Sequence, residues 1–108
     1  MIIQEKLQEI IQRIERLDPE YDYGIKQCWK EEIELLTRDI NATIDFLDHE
    51  CTSEQFVWIS EIFDELVEKT QSRALIECFY RAAKRFPKEA SDYYLIRHIK
   101  MSEDFLLE

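Results

Sequence analysis

The scarcity of turn-forming residues restricts this chain more than any other feature. Its 108 residues include one glycine, Gly24, and two prolines, Pro19 and Pro87. The tight turns between the strands of a β-sandwich or barrel rely on such residues, so these folds are excluded. A phosphate-cradling loop needs several glycines close together, which also excludes the nucleotide-binding βαβ folds. Because 45% of the residues are hydrophobic, a core can form. The sequence therefore predicts one all-α domain spanning residues 1–108.

Acidic residues dominate the charged side chains. Asp and Glu number 24 against 14 Lys and Arg, which gives a formal net charge of -10 at pH 7. Such a chain repels nucleic-acid phosphates and anionic lipids, so neither nucleic acid nor a membrane is an expected partner. Cations or basic protein surfaces are the expected partners instead.

A cytoplasmic location is also predicted. No apolar stretch approaches the roughly 18–20 residues that span a bilayer. Residues 1–6 (MIIQEK) become polar too early for a signal peptide. The odd number and wide spacing of the cysteines fit a reducing compartment. We expect all three to be buried thiols: Cys28, Cys51 and Cys78.

Hydrophobic periodicity predicts about five helices, over residues 2–17, 25–48, 53–69, 73–86 and 89–101. The short connections between them imply antiparallel neighbours, in a bundle or a short array of helical hairpins. The helix over 25–48 is apolar on two sides, which predicts a central position and leaves open a break near residues 37–41. The third helix is expected to bury Phe56, Ile59, Ile62, Phe63 and Leu66. The last helix is expected to pack against the core through Tyr93, Tyr94, Leu95, Ile96 and Ile99. The tail over 105–107 either docks on the domain or frays.

Several boundaries carry recognisable stop or start signals. Asp18 and Pro19 are expected to end the first helix. The next helix either begins here, with Asp18 as its N-cap and Pro19 at its first position, or begins only at Gly24. The other signals are a capping box at Thr52 and Gln55, a cap at Ser72, and a stop at Phe86-Pro87.

The chain shows no pattern that indicates catalysis. Its two histidines lie outside any recognisable catalytic signature. His49, Cys51, Cys78 and His98 are the residue types that zinc prefers, but their spacing matches no standard zinc site. The favoured interpretation is that the cysteines are core thiols and that the histidines lie at the surface or cap a helix. We therefore expect no enzyme activity, catalytic residue, metal or cofactor.

The uneven distribution of charge is the most informative functional feature. Residues 45–68 contain eight acidic residues and no Lys or Arg, whereas basic residues prevail over 69–100. On a continuous third helix, Glu61, Asp64, Glu65 and Glu68 would share an arc of about 100°. Such like-charge spacing costs a few tenths of a kcal/mol per pair, so helix stability does not explain it.

Two apolar residues accompany these acids. Val57 projects into the acidic arc and Trp58 borders it, as in an apolar anchor with a charged rim. The alternative left open is that the acids are solvated or pair with the basic fourth helix. A second acidic surface is possible on the central helix, at Glu31, Glu32, Glu34 and Asp39.

Part of the chain, over about residues 40–90, resembles a known family. The stretches are 44–52 (IDFLDHECT), 56–65 (FVWISEIFDE), 76–83 (IECFYRAA) and 86–89 (FPKE). They resemble small acidic all-helical immunity proteins of bacterial polymorphic-toxin systems, including those of contact-dependent growth inhibition. The resemblance implies a cytosolic antidote that binds a cognate toxin domain and covers its active site or substrate-binding surface.

Many such toxin domains are nucleases with basic surfaces, which suits a chain of net charge -10. The resemblance and the charge distribution together predict a protein-binding surface, with no small-molecule substrate. Its expected residues are Asp45, Asp48, Glu50, Glu54, Val57, Trp58, Glu61, Asp64, Glu65 and Glu68. The alternative function is a non-enzymatic acidic interaction module or adaptor unrelated to toxins.

Overall fold

The helices were located in a computed structural model, which describes residues 2–18, 20 and 22–107, without the side chains of Ile2 and Asp22. Over these residues the chain is all-helical and contains no strand, as predicted. The described residues form eight α-helices, so the predicted number of about five is wrong. They are α1 (Ile2–Arg16), α2 (Asp22–Thr37), α3 (Ile40–His49), α4 (Ser53–Ser60), α5 (Phe63–Thr70), α6 (Arg73–Arg85), α7 (Pro87–Asp92) and α8 (Leu95–Ser102), followed by a 3-10 turn over Glu103–Phe105.

Side-chain caps begin α4 and α6 at the predicted residues. The Thr52 Oγ1 accepts a hydrogen bond from the backbone N–H of Gln55 at 3.1 Å. The side-chain Oε1 of Gln55 accepts one from the backbone N–H of Thr52, also at 3.1 Å. This reciprocal pair is the capping box. Ser72 Oγ accepts from the Leu75 amide at 3.1 Å. Asp18 accepts from the amide of Glu20 at 2.9 Å, before α2 begins at Asp22. The expected position of Pro19 in the first turn of that helix lies outside the described residues.

Each of three predicted helices is divided in two. The central helix breaks after Thr37, where Asp39 caps α3 by accepting from the Ala42 amide at 3.2 Å. The buried Thr43 hydroxyl then donates to the Leu36 carbonyl across the break, at 2.7 Å. This result settles the open question about continuity near residues 37–41.

The third and last helices break without a glycine or proline at the junction. The amide of Ile62 bonds to the Ile59 carbonyl at 2.9 Å, an i to i+3 bond that ends α4 early. At the other junction, Tyr94 takes the left-handed conformation with φ 55°. The predictions of continuous helices over 53–69 and 89–101 are therefore wrong.

The core is built around stacked aromatic rings. Phe63 and Phe79 stack with ring centroids 4.2 Å apart, and Phe56 lies 5.4 Å from Phe63. All five residues predicted to be buried in the third helix are buried. Helix α2 packs against both α1 and α5, which accounts for its two apolar sides.

The C-terminal region departs further from the prediction. Tyr93, Tyr94 and Ile96 are 52%, 68% and 38% exposed, so their predicted burial is wrong. The left-handed residue at 94 turns the chain, and α8 then buries Leu95 and Ile99 alone of the predicted set. The tail is docked: Gln71 Nε2 donates to the Phe105 carbonyl, and Gln71 Oε1 accepts from the Leu107 amide, both at 2.8 Å.

The three cysteines are buried and free, as predicted. Burial raises the pKa of the Cys51 and Cys78 thiols to about 12. Of the helices in the described residues, none has both the length and the apolar composition to cross a membrane.

We expect native protein at pH 7.5 to react slowly with a thiol reagent, because the reactive thiolate is both scarce and inaccessible. Reductant and a chelator should leave the helical circular dichroism spectrum unchanged. Rapid modification of all three thiols without denaturant, or melting on chelation, would contradict this expectation.

Candidate partner-binding surface

The predicted binding residues do not occupy one helical arc. Helix α3 carries Asp45 and Asp48, with Glu50 at its C-cap. Helix α4 carries Glu54, Val57 and Trp58, and Glu61 is its C-cap. Helix α5 carries Asp64, Glu65 and Glu68. Because the chain turns at residues 61–62, the third-helix acids are distributed over two short helices and their junction.

At the α3 end, the acidic residues make internal contacts. The Asp48 carboxylate accepts two hydrogen bonds from Arg81, each 3.1 Å, and the guanidinium lowers the pKa of Asp48. Arg85 donates to the backbone carbonyl of Asp48 at 2.7 Å. The Nε2 of His49 lies 3.7 Å from the Oδ1 of Asp45. This tether between α3 and α6 is the pairing that the alternative interpretation expected, and it neutralises Asp48.

The acids of α4 and α5 are different. None of them forms a salt bridge with another described residue, and the set comprises Glu54, Glu61, Asp64, Glu65 and Glu68. Glu65 and Glu34 line a hollow together with three lysines, Lys26, Lys30 and Lys69, so basic side chains outnumber acidic ones there. The strongest uncompensated negative charge therefore lies on Glu54, Glu61, Asp64 and Glu68, which we call the acidic face.

Helix α7 adds residues to this face that the sequence analysis missed. A groove of about 390 Å³ lies between α4 and α7, and we call it the α4–α7 groove. Half-buried Val57 and Trp58 line it instead of protruding from the surface. Its other lining residues are Ser53, Glu54, Glu61, Lys88, Glu89, Asp92 and Tyr93. No local signal predicts this, because it depends on how α7 folds back beside α4.

Glu61 occupies the centre of the site. It lines the α4–α7 groove and also a smaller hollow of about 160 Å³ with Ser60, Asp64, His98 and Met101. Burial raises the pKa of Glu61. The indole N–H of Trp29 approaches its carboxylate and opposes that rise, without completing a well-formed hydrogen bond.

Beneath Glu61 lies a buried acid. Glu32 has no exposed surface, and neither of its carboxyl oxygens receives a hydrogen bond from the residues described. Burial, reinforced by the negative charge of Glu61, raises the pKa of Glu32 to about 8. A carboxylate without a partner is costly in such surroundings, so the proton is retained.

These contacts reduce the second acidic surface suggested by the sequence. Glu32 is buried, and Glu31 pairs with Arg13 at 2.8 Å. Asp39 is engaged as the cap of α3. Glu34 is exposed and forms no salt bridge within the described part of the chain, whereas the carboxylate of Asp39, also exposed, accepts from the Ala42 amide.

The residue types considered for zinc are also located. Cys51 donates to the Thr52 carbonyl, Cys78 contacts Asp48, and His98 lies on α8 beside Asp64. Among the described residues, no three His, Cys, Asp or Glu side chains are grouped so that they could hold a metal ion.

Comparisons of this chain with models of known families, with curated proteins and with solved structures find no match.

Proposed function

We propose that this protein is an immunity protein: a stoichiometric inhibitor that binds a cognate bacterial toxin domain with a basic surface. The observation that carries the proposal is the acidic face, whose four carboxylates form no salt bridge with any other described residue. Unpaired like charges destabilise a free monomer slightly, and a basic partner would relieve that repulsion. The resemblance over residues 40–90 supports the same class of partner.

The proposed mechanism is occlusion. Lys, Arg or His side chains that a nuclease uses to hold phosphate would meet carboxylates of the acidic face, which take the place of the substrate's phosphates. Binding would then exclude the nucleic acid sterically and neutralise the surface that attracts it. This role requires no chemistry from the inhibitor and is consistent with a cytoplasmic site of action.

The proposal predicts that a toxin domain is encoded immediately upstream of this gene, and that domain is the reagent for a direct test. Purified protein should form a complex of one copy with one toxin domain and abolish the toxin's activity at one molar equivalent. A non-cognate toxin domain is the control. Stable binding without loss of toxicity would support an adaptor instead, and no binding would refute the proposal.

Salt should affect the two rate constants of this complex differently. Between about 0.02 M and 0.15 M ionic strength, screening should lower the association rate constant about tenfold, because long-range attraction steers the encounter. The dissociation rate constant should change less, since contacts in the complex exclude solvent. Surface plasmon resonance would measure both. An association rate constant that is independent of salt would show that the acidic face does not steer binding.

A further inference from the structure

We infer that the α4–α7 groove receives an arginine side chain of the protein partner. This inference rests on the proposed function and deepens it by naming the chemical group that enters one hollow of the acidic face. Among the described residues, Glu61 lines two hollows. Of these two, the α4–α7 groove alone combines aromatic walls with several carboxylates.

The walls suit a flat cation. Trp58 and Tyr93 lie on opposite sides of the groove, on α4 and at the end of α7, and Val57 adds an aliphatic surface. A guanidinium is planar and weakly hydrated, and it stacks favourably on aromatic faces. The lysine ammonium is a compact, strongly hydrated charge and makes poorer use of such walls.

The charges at the rim define the sign of the occupant. Four carboxylates line the groove: Glu54, Glu61, Glu89 and Asp92. One cation, Lys88, also lines it, with its Nζ 3.5 Å from Asp92 on an 82% exposed side chain. The other three carboxylates form no salt bridge with any described residue. A guanidinium has five N–H donors and can satisfy more than one carboxylate at once.

Glu61 gives the groove an additional reason to bind a cation. Its exposed carboxylate lines the groove and forms no salt bridge with a described residue, and partial desolvation raises its pKa. An arriving guanidinium would provide the missing opposite charge. The volume of about 390 Å³ lies within the range of about 300–1,000 Å³ typical of small-ligand clefts, so the groove can hold a whole side chain.

The first test is an NMR titration with N-acetyl-arginine methylamide, repeated with the lysine and glutamine analogues at the same ionic strength. The arginine probe should cause saturable shifts of the Val57 amide and the Trp58 indole N–H, with the backbone amide of Glu77 on α6, outside the groove, as the internal reference. We expect binding at least threefold tighter than with lysine and no binding of glutamine. Equal affinity for arginine and lysine, or shifts confined to α5, would overturn the inference.

Matched variants test whether the arginine probe binds in the α4–α7 groove. Glu89→Gln and Tyr93→Ala change exposed or half-buried positions and should each weaken arginine binding at least threefold. Glu77→Gln removes an equal charge from exposed α6 and should have no effect. If Glu77→Gln weakens binding as much as Glu89→Gln, only the overall charge attracts the probe and the inference fails. If the Val57 and Trp58 shifts instead follow protein dilution without a probe, the occupant is a second copy and the inference also fails.

The two proposals fail separately. With the toxin complex in hand, Tyr93→Ala should weaken its affinity about tenfold while the folded acidic face is retained. An unchanged complex would reject the arginine site and leave the inhibitor proposal standing. A protein that binds the arginine probe in the groove but no toxin domain would reject the inhibitor proposal alone.

Discussion

Replacing Glu32 with glutamine will remove a large pH dependence from the stability of this protein. The wild-type free energy of unfolding should fall relative to Glu32→Gln as the pH rises from 5 to 9. Glu32 is fully buried, and its pKa is raised from 4.5 to about 8. Between pH 4.5 and about 8, the folded state therefore retains a carboxyl proton that the unfolded state has already lost.

The sign follows from that proton. Stability decreases with pH wherever the folded state binds more protons than the unfolded state. Each unit of pKa difference corresponds to about 1.36 kcal/mol. Wild type should therefore lose on the order of 4 kcal/mol relative to the variant over this range. Glutamine does not titrate and has nearly the same shape, so the loss is absent from Glu32→Gln.

Urea denaturation at pH 5, 7 and 9 would measure the effect. Glu34→Gln is the matched control because Glu34 lies on the same helix but is exposed. Its curve should follow wild type at every pH. Parallel pH profiles for wild type and Glu32→Gln would show that Glu32 does not retain its proton on folding.

The burial of Glu32 could have been predicted from its position, though not from its charge. It lies four residues after Cys28 and four before Leu36, both of which are buried, so the helical period places it on the core side of α2. Grouping it with Glu31 and Glu34 by charge alone concealed that position. The absence of a hydrogen-bonding partner was not predictable, because it depends on which side chains of other helices face it.

Local signals predicted boundaries well where a side chain satisfies the helix end. The predicted caps Thr52 and Ser72 each accept a hydrogen bond from a backbone amide in the first turn that follows, and Asp39, which was not predicted as a cap, does the same. At residues 61–62 and 93–94 the sequence offers no such signal. The buried residues of this stretch, Ile62 and Phe63 included, would also fall on one side of a straight helix, so neither caps nor periodicity predict the break at 61–62.

The same breaks determine how much of the site was predictable. Residues adjacent in sequence on α4 were recognised, whereas Glu89, Asp92 and Tyr93 joined the site only through the fold of α7. Asp48 shows the converse, because its charge is prominent in the sequence but is neutralised by Arg81 from α6. Charge runs thus predict a candidate surface, and contacts between helices determine which charges remain available.

Reversing three charges of the acidic face should abolish tight binding to the toxin domain. The sequence alone favours reversal of Glu61, Asp64 and Glu68 to lysine. Since the charge of Glu61 also acts on the buried Glu32, reversing it would disturb the core, and Glu54 is the better third position. Glu54→Lys, Asp64→Lys and Glu68→Lys together remove attraction and add repulsion. Breaking one buried interfacial charge pair costs roughly 2–5 kcal/mol, and exposed rim pairs cost less. We expect affinity to fall about 1,000-fold, or roughly 4 kcal/mol.

The matched control is the triple variant Glu15→Lys, Glu34→Lys and Glu77→Lys, which changes the net charge equally at exposed positions on α1, α2 and α6. Glu54 and Asp64 lie in the first turns of their helices, so their reversal costs about 0.3–1 kcal/mol each through the helix dipole. Circular dichroism must therefore show that both triple variants are folded. Affinity measured by calorimetry should fall far more for the acidic-face variant than for the control. Equal losses would mean that net charge alone attracts the toxin, and full protection of cells by the folded acidic-face variant would place the binding site elsewhere.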